Sequence, residues 1–183
     1  MWLFRTLVPA VTAGVVTVMM ASTQVLACTF HMTSFGSIFE PTYPGSLSVV
    51  AAVANARSEE RLGARILESG DAGLLRASHE LNKLGRRLNR LEDHPKSDFY
   101  VIFAGQQLWT YYRASKFSAR PTYQVHVHTA APHHEVPVLV TSYYVVEAFQ
   151  EGRLTYEQAL EAGLVQVRND DQDIVSALFS RAF

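Results

Sequence analysis

The sequence predicts an α+β fold, with N-terminal helices packed on an antiparallel sheet and C-terminal helices covering it. Three observations carry this. Ala77, Leu81, Leu84, Leu88 and Leu91 recur at spacings of four, three, four and three, which draws one apolar stripe along a helix. After Pro95 the texture changes to runs rich in Phe, Tyr, Val and Ile, and Tyr123, Val125 and Val127 alternate with Gln124, His126 and His128. Helices and strands are segregated along the chain, and at least one strand pair is joined at hairpin length, which favours antiparallel pairing.

The first element is an address. Arg5 is followed by an uncharged, Val-, Leu-, Met- and Ala-rich run, and Val25-Leu26-Ala27 leads to Cys28. A basic start, an apolar stretch and a small-residue exit are the parts of a secretory signal over residues 1–27. The strongly apolar part is shorter than the ~20 residues a membrane-spanning helix needs. Val25-Leu26-Ala27-Cys28 also resembles the lipobox of bacterial lipoproteins. That resemblance implies a lipid on Cys28, which would be the chain's one attachment to a membrane. The expected location is therefore the periplasm or, with the lipid, the envelope membrane. Residues 28–183 then form one domain: 28–95 an aromatic arm and helices, 96–183 sheet and helices.

Phe30, Phe35, Phe39 and Tyr43 sit among Gly and Pro and read as the arm. Ser46 is placed to cap a helix over Leu47 to Leu62. Gly70-Asp71 breaks the pattern, and the Leu74 to Leu91 helix follows. Its Arg76, Lys83, Arg86, Arg87 and Arg90 lie mostly off the apolar stripe. They are a solvated face or a surface for an anionic lipid or an acidic partner. His94-Pro95 ends the helical half. Phe99 to Ala104 and Leu108 to Arg113 read as a hairpin across Gly105-Gln106-Gln107. Tyr123 to Thr129 and Val136 to Thr141 are further strands, and Pro137 marks an edge or a strand start. Thr141 or Ser142 caps the helix Tyr143 to Gln150. Thr155 and Gln158 form a capping box for the next helix, which ends at Gly163. Leu164 to Val167 is a strand, and Asn169-Asp170-Asp171 opens the last helix.

The charge balance is even: 16 Lys+Arg against 17 Asp+Glu. No basic excess exists to neutralise phosphates, so a nucleic-acid partner is excluded. No G-x-S-x-G, P-loop or G-x-G-x-x-G occurs, and the single cysteine sits at the processing boundary, so the reading is non-enzymatic. Two candidate sites remain. Trp109, Tyr111, Tyr123 and Phe149 belong to an aromatic concentration that can line an apolar pocket between sheet and helices. His126, His128, His133 and His134 fall within one short stretch, and imidazoles at i and i+2 of a strand share a face, a donor set for copper or zinc. An unlipidated Cys28 with His31 offers a second chelate of that kind.

The C-terminal stretch resembles the end of sterol carrier protein 2-like domains. Val138-Leu139-Val140-Thr141, Val146, Phe149, Gly152-Arg153-Leu154 and Ala159 match its strand, helix and Gly-x-Leu turn. Gly163-Leu164-Val165-Gln166-Val167, Asp170, Leu178 and Phe179 match its final strand and helix. Asn169-Asp170 stands where the family carries Gly then Asp. The resemblance implies a helix-covered sheet around an apolar tunnel, and binding of lipid or another apolar ligand without catalysis. The expected partners are an apolar small molecule or an envelope protein. The alternatives are a periplasmic metal-binding protein and an envelope interaction module.

Overall fold

The computed structural model describes residues 43–63, 66–92, 95, 97–115, 122–132 and 135–183. The expected signal over residues 1–27, Cys28 and the Phe30–Phe39 part of the expected arm lie outside the described residues, as do His133 and His134. Among the described residues no helix is long and apolar enough to cross a membrane.

The elements in chain order are α1 (Ser46–Ser58), α2 (Gly70–Leu88), β1 (Phe99–Phe103), β2 (Leu108–Ala114), β3 (Tyr123–Val127) and β4 (Val138–Thr141). Then come α3 (Tyr143–Gln150), α4 (Tyr156–Glu161), β5 (Gln166–Arg168) and α5 (Ile174–Ala182). The α+β class and the order of elements are as the sequence predicts. The sheet is mixed rather than wholly antiparallel. Its order is β3-β2-β1-β4-β5, and β4 runs parallel to β1. The physical reason is the link from β3 to β4. It is not a hairpin: it carries the chain from the β3 edge to the far side of β1, so β4 meets β1 in the same direction.

Two element starts also differ. Gly45, at φ +89°, precedes α1 in a left-handed conformation that suits glycine, and no side chain caps the helix there; Ser46 is its first residue. α2 begins at Gly70, earlier than the apolar stripe, with Asp71 in its first turn, where a carboxylate favours the helix dipole. The capping box of α4 is present, with Gln158 N–H donating to Thr155 Oγ1 and Thr155 N–H to Gln158 Oε1. α5 is held from a distance: the Asp170 carboxylate accepts the amides of Ile174, Val175 and Ser176.

Register assigns the sheet two faces. Phe99, Val101 and Phe103 share the inner face with Leu108, Thr110 and Tyr112, and with Tyr123, Val125 and Val127 of β3. α2, α3 and α5 pack here. Of the stripe read from the sequence, Ala77, Leu81, Leu84 and Leu88 are fully buried, whereas Leu91 lies beyond the end of α2 and is half-buried. Tyr112 donates its hydroxyl to Leu81 O, and Phe99 meets Phe179 edge-on. Tyr100, Ile102, Trp109, Tyr111, Val138 and Val140 share the outer face with Gln124 and His126. α1 packs against its β4–β5 side. Gln166 donates to Ser48 Oγ, and Arg57 lies 4.1 Å over the Tyr144 ring.

Candidate functional site: an aromatic face on the sheet

On the outer face, beyond the edge of α1, rings follow one another across three strands. Tyr43 meets Trp109 edge-on at 5.0 Å, and Trp109 meets Tyr100 at 6.1 Å. Tyr100 stacks on Tyr111 at 4.8 Å, and Tyr111 stacks on His126 at 6.0 Å. The cause is cross-strand pairing: Tyr100 is directly opposite Tyr111, and Tyr111 directly opposite His126. Trp109 is buried, Tyr100 and Tyr111 are half-buried, and His126 is exposed. The result is a platform of π-faces with one wet edge.

A carboxylate organises that platform. Asp98 accepts the Tyr111 hydroxyl through one oxygen and the Ala114 amide, at 2.8 Å, through the other. Burial, and then the bond to Asp98, push the Tyr111 phenol up to about 12. Burial and the Asp98 charge raise Tyr100 as well. Tyr143 on α3 is raised to about 12 by burial and by its bond to Glu147. Each of these phenols must stay protonated in the folded state, whereas an unfolded tyrosine ionises near about pH 10. Folding stability carried by these groups is therefore fully present below about pH 10 and is lost as pH rises through about 12. Melting temperature against pH is expected to fall in that window, in step with tyrosinate absorbance. A phenolate signal completed at pH 10 in the folded protein would contradict it.

The structure divides the four residues expected to form a pocket. Trp109 and Tyr111 belong to the aromatic face. Tyr123 is on the inner face, its ring against Phe99 and its hydroxyl donating to Pro95 O at 2.9 Å. Phe149 is buried on α3 and stacks on Phe183 at 4.9 Å. The last two are core, so the four do not line one pocket. Sequence reasoning places Tyr43 in the arm and passes over Tyr100 and Asp98. Alternation puts Tyr100 on one side of its strand, but only the register against Tyr111 reveals the stack.

The histidine set is not assembled among the described residues. His126 projects from the outer face. β3 ends at Val127, and His128 takes φ +62°, so the alternation that would place both imidazoles together stops between them. No group of three His, Cys, Asp or Glu side chains suited to a metal occurs among the described residues.

No family model matches the sequence, and no curated protein sequence matches it. Solved structures do. Sterol carrier protein 2 is similar with a TM-score of 0.40 at 14% identity, over 59% of this chain and 87% of that one. A UbiJ-SCP2 ubiquinone synthesis protein is similar with a TM-score of 0.36 at 20% identity, over 63% of this chain and 96% of that one. The sec-alkylsulfatase Pisa1 from Pseudomonas sp. is similar with a TM-score of 0.37 at 11% identity, over 45% of this chain and 12% of that one. The chain thus spans about an eighth of the sulfatase's length. The fold is thus similar to sterol carrier protein 2 domains over about 60% of this chain.

Proposed function

We propose that this chain is a non-catalytic binding protein for an apolar small molecule, held on the outer sheet face against Tyr100, Tyr111 and Trp109. The half-buried stack of Tyr100 on Tyr111 on the outer face carries the reading. Planar or ring-bearing apolar groups stack well on such a face, and Asp98 keeps the Tyr111 ring from rotating away. The basic start, apolar run and small-residue exit of residues 1–27 support an exported protein of the bacterial envelope.

Native mass spectrometry of the protein, extracted gently from its expressing cells, tests both parts in one spectrum. The protein mass is expected to begin at Cys28, with or without lipid, and to carry a co-purified apolar molecule. A Tyr100→Ala/Tyr111→Ala variant is expected to lose that molecule while keeping the wild-type circular dichroism spectrum. A ligand-free wild type, or a variant that retains the ligand, would overturn the assignment to this face.

A further inference from the structure

A groove of about 680 Å³ opens on the opposite side of the molecule, where the end of α2 meets α3 and α5. His79, Lys83, Arg86, Arg87 and Arg90 line it, with Leu91 and Ala182 as apolar neighbours. The spacing explains the convergence. Positions 79, 83, 86 and 87 follow i, i+4, i+7 and i+8, a single stripe of α2 beside the buried one, and Arg90 follows in the turn after the helix ends. Among the described residues no carboxylate lines the groove.

The cations are not consumed by ordinary structural work. Lys83 faces Glu80 at 3.7 Å, a loose pair. Among the described residues, Arg86, Arg87 and Arg90 have no carboxylate partner. A favourable field at the end of the helix accounts for one or two cations in its last turn, but not for a concave wall of four. Arg87 is half-buried and fixed. Its Nε donates to Ala182 O at 2.7 Å, and its guanidinium lies 4.2 Å over the Phe183 ring. That leaves its terminal amino groups, held in place, for an acceptor. A guanidinium fixed in this way loses little entropy on binding a planar or tetrahedral anion.

We infer that this groove is a binding site for a small, phosphate-bearing molecule. Arg87 is the ordered anchor, and Lys83, Arg86 and Arg90 close on the remaining oxygens. Concavity decides the occupant class: a small polyanion can enter the groove and contact several cations together, whereas a flat membrane surface would meet chiefly the exposed Lys83, Arg86 and Arg90 and not the half-buried Arg87. The site is separated from the aromatic face by the sheet, so it stands or falls independently of the function proposed above.

The test is calorimetric titration of inorganic pyrophosphate into the purified protein, beside sedimentation with phosphatidylcholine vesicles with and without phosphatidylglycerol. The wild type is expected to bind pyrophosphate and to remain in the supernatant when either vesicle type is sedimented. Arg86→Gln/Arg90→Gln, two exposed positions, is expected to weaken binding about tenfold or more, since each charge-assisted bond contributes on the order of a factor of ten. Arg61→Gln, a cation already paired with Glu59 elsewhere on the surface, is expected to bind as the wild type does. Absence of pyrophosphate binding, equal weakening in Arg61→Gln, or binding to phosphatidylglycerol vesicles without pyrophosphate binding would each overturn the site.

Discussion

Replacing Phe99 by Ala is expected to remove about 3–5 kcal/mol of folding stability. Phe99 has no exposed surface and is where the inner-face elements meet. Its ring stacks on Tyr112 at 4.7 Å, meets Tyr123 edge-on at 5.2 Å and reaches Phe179 of α5 at 6.1 Å. Those partners come from β2, β3 and α5, so truncation opens a cavity that no single element can close by shifting. Tyr112 and Tyr123 are also tethered, one to Leu81 O and the other to Pro95 O, which limits their collapse into the gap. Urea denaturation is the measurement. The midpoint is expected to drop strongly at unchanged slope, and Phe99→Leu is expected to recover more than half of the loss by restoring most of the volume. A loss below about 1 kcal/mol in Phe99→Ala would mean the cavity collapses and the cluster does not hold these elements together.

What could be read from the chain follows from the range of the interactions involved. The α2 stripe was legible because helical periodicity is local: Ala77, Leu81, Leu84 and Leu88 need only their own spacing to declare one face, and all are fully buried. The β3 alternation was legible for the same reason, with Tyr123 inward and His126 outward. Strand partners were not. Whether β4 pairs with β3 or with β1 depends on contacts far apart in sequence, and a short link is weak information about the path it takes. The candidate site failed at the same step. Trp109, Tyr111, Tyr123 and Phe149 are alike in composition, and aromatic character signals burial without saying in which layer. Only the register sends Trp109 and Tyr111 outward and Tyr123 inward. The His126/His128 pairing failed on a backbone detail, since a positive φ at a non-glycine residue leaves little trace in sequence. The basic stripe was visible as charge, but its concavity depends on how α3 and α5 pack around the end of α2.

Gly85→Leu is expected to cost about 3 kcal/mol, because α2 lies too close to the sheet for any side chain at that position. A Cβ built on Gly85 would overlap Val125 Cγ2 of β3 and stand 3.5 Å from Tyr112 Cε1. Val125 is β-branched and cannot swing aside freely. Tyr112 is fully buried and tethered by its hydroxyl. The helix would therefore have to lift, and lifting strains the two bonds between Asn89 and the Tyr123 backbone that tie the end of α2 to the start of β3. Gly85→Ala should cost less than the overlap alone implies, since alanine regains about 1 kcal/mol of helix propensity over glycine. Removing the obstacle separates packing from backbone effects. In a double-mutant cycle, Val125→Ala is expected to recover about 1–2 kcal/mol of the Gly85→Ala loss, beyond additivity. Strict additivity would sink the contact as the cause. The cost would then lie in the glycine backbone itself, which conflicts with its place in a regular helix away from any positive-φ position.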